Sequence, residues 1–105
     1  MDRGQLTYAK VDLAAAATLT ITPGAGQRVR LVHMYTTMTE AGAVKFVSGE
    51  TDLTGDMTFG AGSGPCFKST VEEPFLRTAV AGEALKITPS TGGLDGFIAY
   101  YIEGA

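Results

Sequence analysis

The chain predicts an all-β fold, a jelly-roll-like β-sandwich of about eight short antiparallel strands. Three observations point there. Apolar and polar residues alternate over short runs, as in Thr18-Leu19-Thr20-Ile21-Thr22, at the period of a pleated strand. Gly, Pro and Asp punctuate those runs at about the 8–12-residue spacing of sandwich and barrel strands. No stretch with helical period is long enough to serve as the crossover helix of a parallel sheet.

The elements follow in order. Residues 1–5 form a short polar arm, and residues 6–105 form a single domain. Leu6 to Leu13 alternates as a strand. Ala14 to Ala17 has helix propensity but is too short to pay for nucleation, so it is a turn or one helical corner. Thr18 to Thr22 is a strand with Leu19 and Ile21 inward, ended by Pro23-Gly24-Ala25-Gly26. Gln27 to Thr39 is a long strand or a bent pair. On unbroken alternation Val29, Leu31, His33 and Tyr35 share one face, and Arg28, Arg30, Val32 and Met34 the other. Glu40-Ala41-Gly42 turns the chain into Ala43 to Ser48, with Val44 and Phe46 inward. Residues 48–64 are rich in Gly, Thr and Asp and hold at most a short strand, Asp56 to Phe59; Pro65 to Ser69 adds another. Glu72-Glu73-Pro74 is a break, and Phe75 to Thr78 is a short edge piece.

The C-terminal stretch reads as a β-hairpin: Ala84 to Thr88, a Pro89-Ser90-Thr91-Gly92-Gly93 turn, then Leu94 to Ile102. Its second arm is apolar on both faces, with Phe97, Ala99 and Tyr101 on one and Ile98, Tyr100 and Ile102 on the other. Such a strand has two things to pack against. One is the domain core. The other is a second subunit, for which Ile98, Tyr100 and Ile102 are the candidate interface.

Composition narrows the function classes. The 105 residues support one core, and 45% hydrophobic residues supply it. Charged residues make up only 18%, a thin coat that suits a surface covered in use. A net charge of -3 argues against nucleic acid, which needs a basic face. No apolar run reaches membrane-span length or forms a signal peptide, so no membrane partner is expected. The single cysteine, Cys66, excludes an internal disulfide and a thiolate zinc site.

No motif carries catalysis, and no cofactor or metal is expected. Gly60 to Ser69 imitates a phosphate loop, but Phe67 stands where Gly must precede the lysine and Pro65 removes an N–H. Glu50, Asp52 and Asp56 match no calcium-loop spacing and read as a solvated turn. His33, the lone histidine, reads as hydrogen-bonded and half-buried. Cys66 reads as a buried or half-buried filler. Arg28 and Arg30 share a face, where they either stand in solvent or pair acidic groups on a partner.

The run Thr78-Ala79-Val80-Ala81-Gly82-Glu83-Ala84-Leu85-Lys86-Ile87, with Gly96-Phe97-Ile98-Ala99-Tyr100-Tyr101, resembles the C-terminal part of small tailed-phage head decoration (cement) proteins. Val29-Arg30-Leu31-Val32 and Val44-Lys45-Phe46-Val47-Ser48-Gly49 fit the same layout, and the resemblance covers roughly residues 27–103. It implies a non-enzymatic jelly roll on the outer capsid surface of a virion, made in the host cytoplasm. Its partners are the major capsid protein and itself, as a homotrimer first and a homodimer as the other symmetry. It bridges coat subunits and holds the expanded shell. The N-terminal arm would touch the shell, giving Asp2, Arg3, Gln5 and Leu6, with Arg28 and Arg30, as candidate shell contacts. The competing reading is a carbohydrate- or receptor-binding sandwich of a phage fibre or baseplate, although Trp and Asn, common in such sites, are absent.

Overall fold

The computed structural model describes residues 6–70 and 73–104. Ten strands make two antiparallel sheets: β1 (Thr7–Leu13), β2 (Leu19–Ile21), β3 (Arg28–Met38), β4 (Gly42–Ser48), β5 (Thr51–Asp52), β6 (Met57–Phe59), β7 (Cys66–Lys68), β8 (Leu76–Arg77), β9 (Leu85–Pro89) and β10 (Leu94–Glu103). Sheet A runs β1-β10-β3-β7, with β8 also on β3; sheet B runs β2-β9-β4-β5, with β6 also on β4. The pairing is nested. β1 pairs β10, β2 pairs β9, β3 pairs β7 and β8, and β4 pairs β5 and β6. The chain is thus one long hairpin, rolled up so that β10 meets β3 and β9 meets β4. That is the jelly-roll order, with β5/β6 and β7/β8 each sharing one of the eight strand places.

The Ala14–Ala17 segment is a turn closed by Ala17 N–H to Ala14 O at 3.1 Å, with Ala16 at φ 62°. The C-terminal stretch is not a hairpin. β9 pairs only within sheet B and β10 only within sheet A, so residues 90–93 cross between the sheets. Alternation fixes which residues share a face, not which strand lies alongside. The crossing is tied to the β3–β4 corner instead: Thr39 N–H donates to Gly93 O at 3.0 Å and Ser90 N–H to Ala43 O at 2.8 Å. Gly92, at φ 71°, fits there because a Cβ would stand 2.9 Å from Glu40 N.

The core lies between the sheets. β4 and β9 supply Val44, Phe46, Leu85 and Ile87; β1, β3 and β10 supply Val11, Val29, Leu31, Met34, Met38, Leu94 and Ile98. Strand β3 does not keep one alternation. The β3·β10 register skips Val32, since Tyr100 faces Leu31 and Ala99 faces His33. This β-bulge reverses parity: Val29 and Leu31 point inward before it, and Met34, Thr36 and Met38 after it. His33 and Tyr35 therefore face outward, against the single-face grouping that unbroken alternation gives. The Val32 carbonyl is taken by Ser69, from its N–H at 2.9 Å and its hydroxyl at 2.7 Å, where β7 hands over to β8.

On β10 the inward face is Ile98, Tyr100 and Ile102, with Ile98 fully buried and the other two packed on the core. The candidate interface face is thus the core face, and Phe97 is the exposed one. Gly96 makes the approach of β10 to β3 possible: at φ 148°, a Cβ there would lie 1.9 Å from Tyr35 O. Ile98→Ala should lower unfolding free energy by about 2–5 kcal/mol through a core cavity, whereas Phe97→Ala should cost less than about 1 kcal/mol. Urea unfolding of the two variants reads this directly. Gly96→Ala should abolish or severely destabilise folding, seen as loss of the β circular-dichroism signal at a temperature where the wild type is folded.

Candidate functional site

The two sheets have unlike outer faces. On sheet B the outward residues include Thr20, Lys45, Val47, Lys86 and Thr88, the ordinary solvated side of an antiparallel sheet. Lys45 pairs with Asp52 at 3.0 Å, and this hydrogen bond holds the lysine pKa above its ordinary value. On sheet A the ladder places Tyr8, Ala99, His33 and Lys68 in one outward row and Lys10, Phe97, Tyr35 and Cys66 in the next. Tyr8, Tyr35 and Phe97 are 63%, 52% and 38% exposed. Phe97 lies in the middle, 5.7 Å from the Tyr35 ring and 6.1 Å from the Tyr8 ring. Tyr8, His33, Tyr35, Lys68 and Phe97 line a shallow cleft of about 240 Å³. Three exposed rings in contact form the kind of patch that marks a contact surface.

The same face gathers charge. Lys10, Arg28, Arg30, Lys68 and Arg77 lie on it, five of the eight Lys and Arg of a net negative chain. Arg30 and Arg77 are direct cross-strand partners, an arrangement that repels unless an anion intervenes. Glu103 supplies it, with Oε1 2.8 Å from Arg30 Nε and 3.7 Å from Arg77 Nη1. The Arg30 hydrogen bond, helped by the charges of Arg30, Arg77 and Arg28, holds the Glu103 carboxyl below its usual range; partial desolvation opposes it. Arg28 sits beside this cluster. Its Nε is buried and has no hydrogen-bond partner among the described residues.

The candidate residues scatter. Asp2, Arg3 and Gln5 lie outside the described residues; Leu6 is half-buried just ahead of β1. Arg28 and Arg30 do come together, around Glu103. Ile98, Tyr100 and Ile102 turn to the core. His33 is half-buried, as the sequence predicts, but its Nδ1 lacks the expected hydrogen-bond partner among the described residues. Cys66 is exposed rather than a filler, because β7 turns it outward beside Tyr35; its Sγ lies 3.5 Å from Thr36 O.

The phosphate-loop mimic is occupied with its own bonds. Gly62 N–H donates to Met38 O and Ser63 N–H to Gly60 O, so those donors are not turned to a ligand. Among the described residues no three His, Cys, Asp or Glu side chains converge as metal ligands. Tyr8, Tyr35, Phe97 and Lys68 are the site residues that sequence reasoning passed over. The available signal was the apolar second face of β10. A second apolar cleft, about 250 Å³, opens between β6 and β7, where Phe67 and Phe75 stack at 3.8 Å.

Comparison with family models, curated proteins and solved structures finds no match.

The Glu103 cluster makes stability depend on pH. A carboxyl lowered by folding stabilises above its ordinary value of 4.5, and that contribution is lost as pH falls through the lower folded value. Glu103→Gln should therefore be less stable than wild type at pH 7, by less than about 1 kcal/mol because the pair is partly exposed. The gap should close on acidification below pH 4.5. Thermal melts of both proteins from pH 7 to pH 3 check this.

Proposed function

We propose that the protein is a non-enzymatic decoration, or cement, protein that binds the outer surface of a phage head. It stabilises the shell by bridging subunits of the major capsid protein, and it works as a symmetric homo-oligomer. The observation that carries this reading is the unlike dress of the two sheets. A small sandwich that keeps one outer face polar and the other aromatic and cationic is built to be covered on one side. The decoration-protein resemblance of residues 27–103 says in what kind of assembly that face would be covered, a homo-oligomer seated on a shell. The physics of cement suits a small oligomer: several weak contacts, each on a different coat subunit, multiply through effective concentration.

A second reading is favoured by the cleft itself. Tyr8, Tyr35 and Phe97 beside Lys68 and His33 form a ring-lined platform of a size for one sugar, as in the carbohydrate-binding module of a fibre or baseplate.

Purified protein mixed with expanded phage heads should co-sediment with them, saturate at a fixed number of copies per coat subunit, and raise the temperature at which the heads break. Absence of saturable binding overturns the cement reading. Binding to a glycan panel, lost in Phe97→Ala, would replace it with the second.

A further inference from the structure

The outer face of sheet A is polarised along its strands. At one end Asp12 and Asp95 are direct cross-strand partners, both exposed. Like charges so placed repel, and none of the ion pairs formed among the described residues includes either of them. At the other end stand Arg28, Arg30 and Arg77, with the Glu103 carboxylate beside Arg30 and Arg77. The row of Asp95 and the row of Tyr101 and Arg30 are six residues apart along β10, about 20 Å at strand rise. Between them lie Tyr8, Tyr35 and Phe97, with Lys10 and Lys68 in the same rows. Ala99, set in the ladder between Tyr8 and His33, is itself fully buried, and the cleft is lined by Tyr8, His33, Tyr35, Lys68 and Phe97.

We propose that this face binds a second copy of the chain, face to face about a twofold axis that crosses the strands near Ile98. Such an axis reverses the strands, so the Asp12–Asp95 end of each copy meets the arginine end of the other. An axis along the strands would set acid on acid and arginine on arginine, so charge selects the crossing one. It also sets Phe97 of each copy over the Tyr8–His33 row of the other, at the cleft those two side chains help to line. The strand places of β1, β10, β3 and β7/β8 hold 7, 10, 11 and 5 residues, which at about 3.3 Å rise and 4.8 Å spacing present roughly 520 Å² of flat sheet. That is about two-thirds of the ~800 Å² per partner of a standard interface, a size that fits a weak, concentration-dependent dimer. Tyr, Phe and Arg, which this face carries beside Lys10 and Lys68, are residues enriched at interface hot spots. Two faces meeting flat can close only as a pair, so the symmetry is twofold rather than threefold.

The inference rests on the face and not on shell binding, and self-association is measured without capsids, so the two fail separately. Light scattering and sedimentation over a concentration series should give twice the 10.9 kDa chain mass, falling to one chain on dilution or at high salt. Asp95→Arg and Arg28→Glu, each checked for folding by circular dichroism, should each weaken the dimer by about 10-fold or more. Mixed together, the two variants should form a one-to-one heterodimer, because one contact is swapped and the other is native. Lys86→Glu on sheet B should change nothing.

The wild type offers a check that needs no variant. In the proposed dimer the two Cys66 α-carbons lie about 12 Å apart, from two residues of strand rise and a ~10 Å sheet separation. A bis-maleimide of that span should trap the dimer. A monomer at all concentrations, a trimer mass, variants that associate like wild type, a mixture that stays monomeric, or no crosslink from a thiol that reacts with N-ethylmaleimide each overturns the proposal.

Discussion

The β3·β10 ladder is the contact on which the rest depends. Every other pair in sheet A hangs from one of these two strands: β1 on β10, and β7 and β8 on β3. It joins residues far apart in sequence, such as Val29 with Ile102 and Met38 with Leu94, so closing it fixes the roll of the whole hairpin. The close approach needs Gly96, whose missing Cβ leaves room for the Tyr35 carbonyl. The extra residue Val32 then shifts the phase of β3 by one. Without that shift, Met34 and Met38 would leave the core and His33 and Tyr35 would enter it. One inserted residue thus decides both what fills the sandwich and what decorates it.

The bulge also organises the edge. Strand β3 is too long for one short partner, and its outer neighbours divide at Val32 into β7 and β8. The carbonyls left at the division are taken by Ser69 and by Phe75 N–H to Leu31 O at 2.9 Å. The buried polar side chains of Thr78 and Ser48 are similarly settled. Thr78 accepts from Val29 N–H at 3.0 Å, and Ser48 joins Glu83 at 2.7 Å to Ala79 N–H at 2.8 Å. The short outer strands β5, β6, β7 and β8 expose little unpaired backbone, which protects the sheet edges from further strand addition. What remains unsettled on sheet A is its side-chain face.

Much of this was legible because strands with one wet face alternate cleanly. Leu19 and Ile21, Val44 and Phe46, and Leu85 and Ile87 all point inward as their patterns say. Other features were not legible, for identifiable reasons. Alternation groups residues by face without saying which face is inside, so Ile98, Tyr100 and Ile102 could be read as exterior. A turn-rich stretch such as Pro89 to Gly93 serves a hairpin or a crossing between sheets equally well, and only the partners of β9 and β10 distinguish them. The bulge leaves only the doubled apolar pair Leu31-Val32 within Val29 to Met34, which reads as a phase shift only once the partner strand is known. The aromatic face joins Tyr8, Tyr35 and Phe97 from three strands, and that adjacency follows from pairing that no local pattern encodes. The oppositely charged ends of the face are hidden for the same reason.

In a two-layer sandwich each strand has one face for the core and one for water, so a strand apolar on both sides is out of place. Most strands here obey that rule; β10 does not, and its outward Phe97 lies between the outward Tyr8 of β1 and Tyr35 of β3. The exception has a consistent explanation if sheet A is a middle layer. Packed against a second copy, it would be covered on both faces, and the four sheets would stack as a single body with polar sheet B on each outside. The inner face then holds the chain together and the outer face holds two chains together. The outer face is not bare of charge: Lys10 and Lys68 stand within the aromatic rows, and Asp12, Asp95 and the arginines stand at the two ends where a reversed copy can neutralise them. On this argument the double apolar pattern of Phe97 to Ile102 encodes two interfaces in one strand, and the phase set by Val32 ensures that the aromatic side chains serve the second of them.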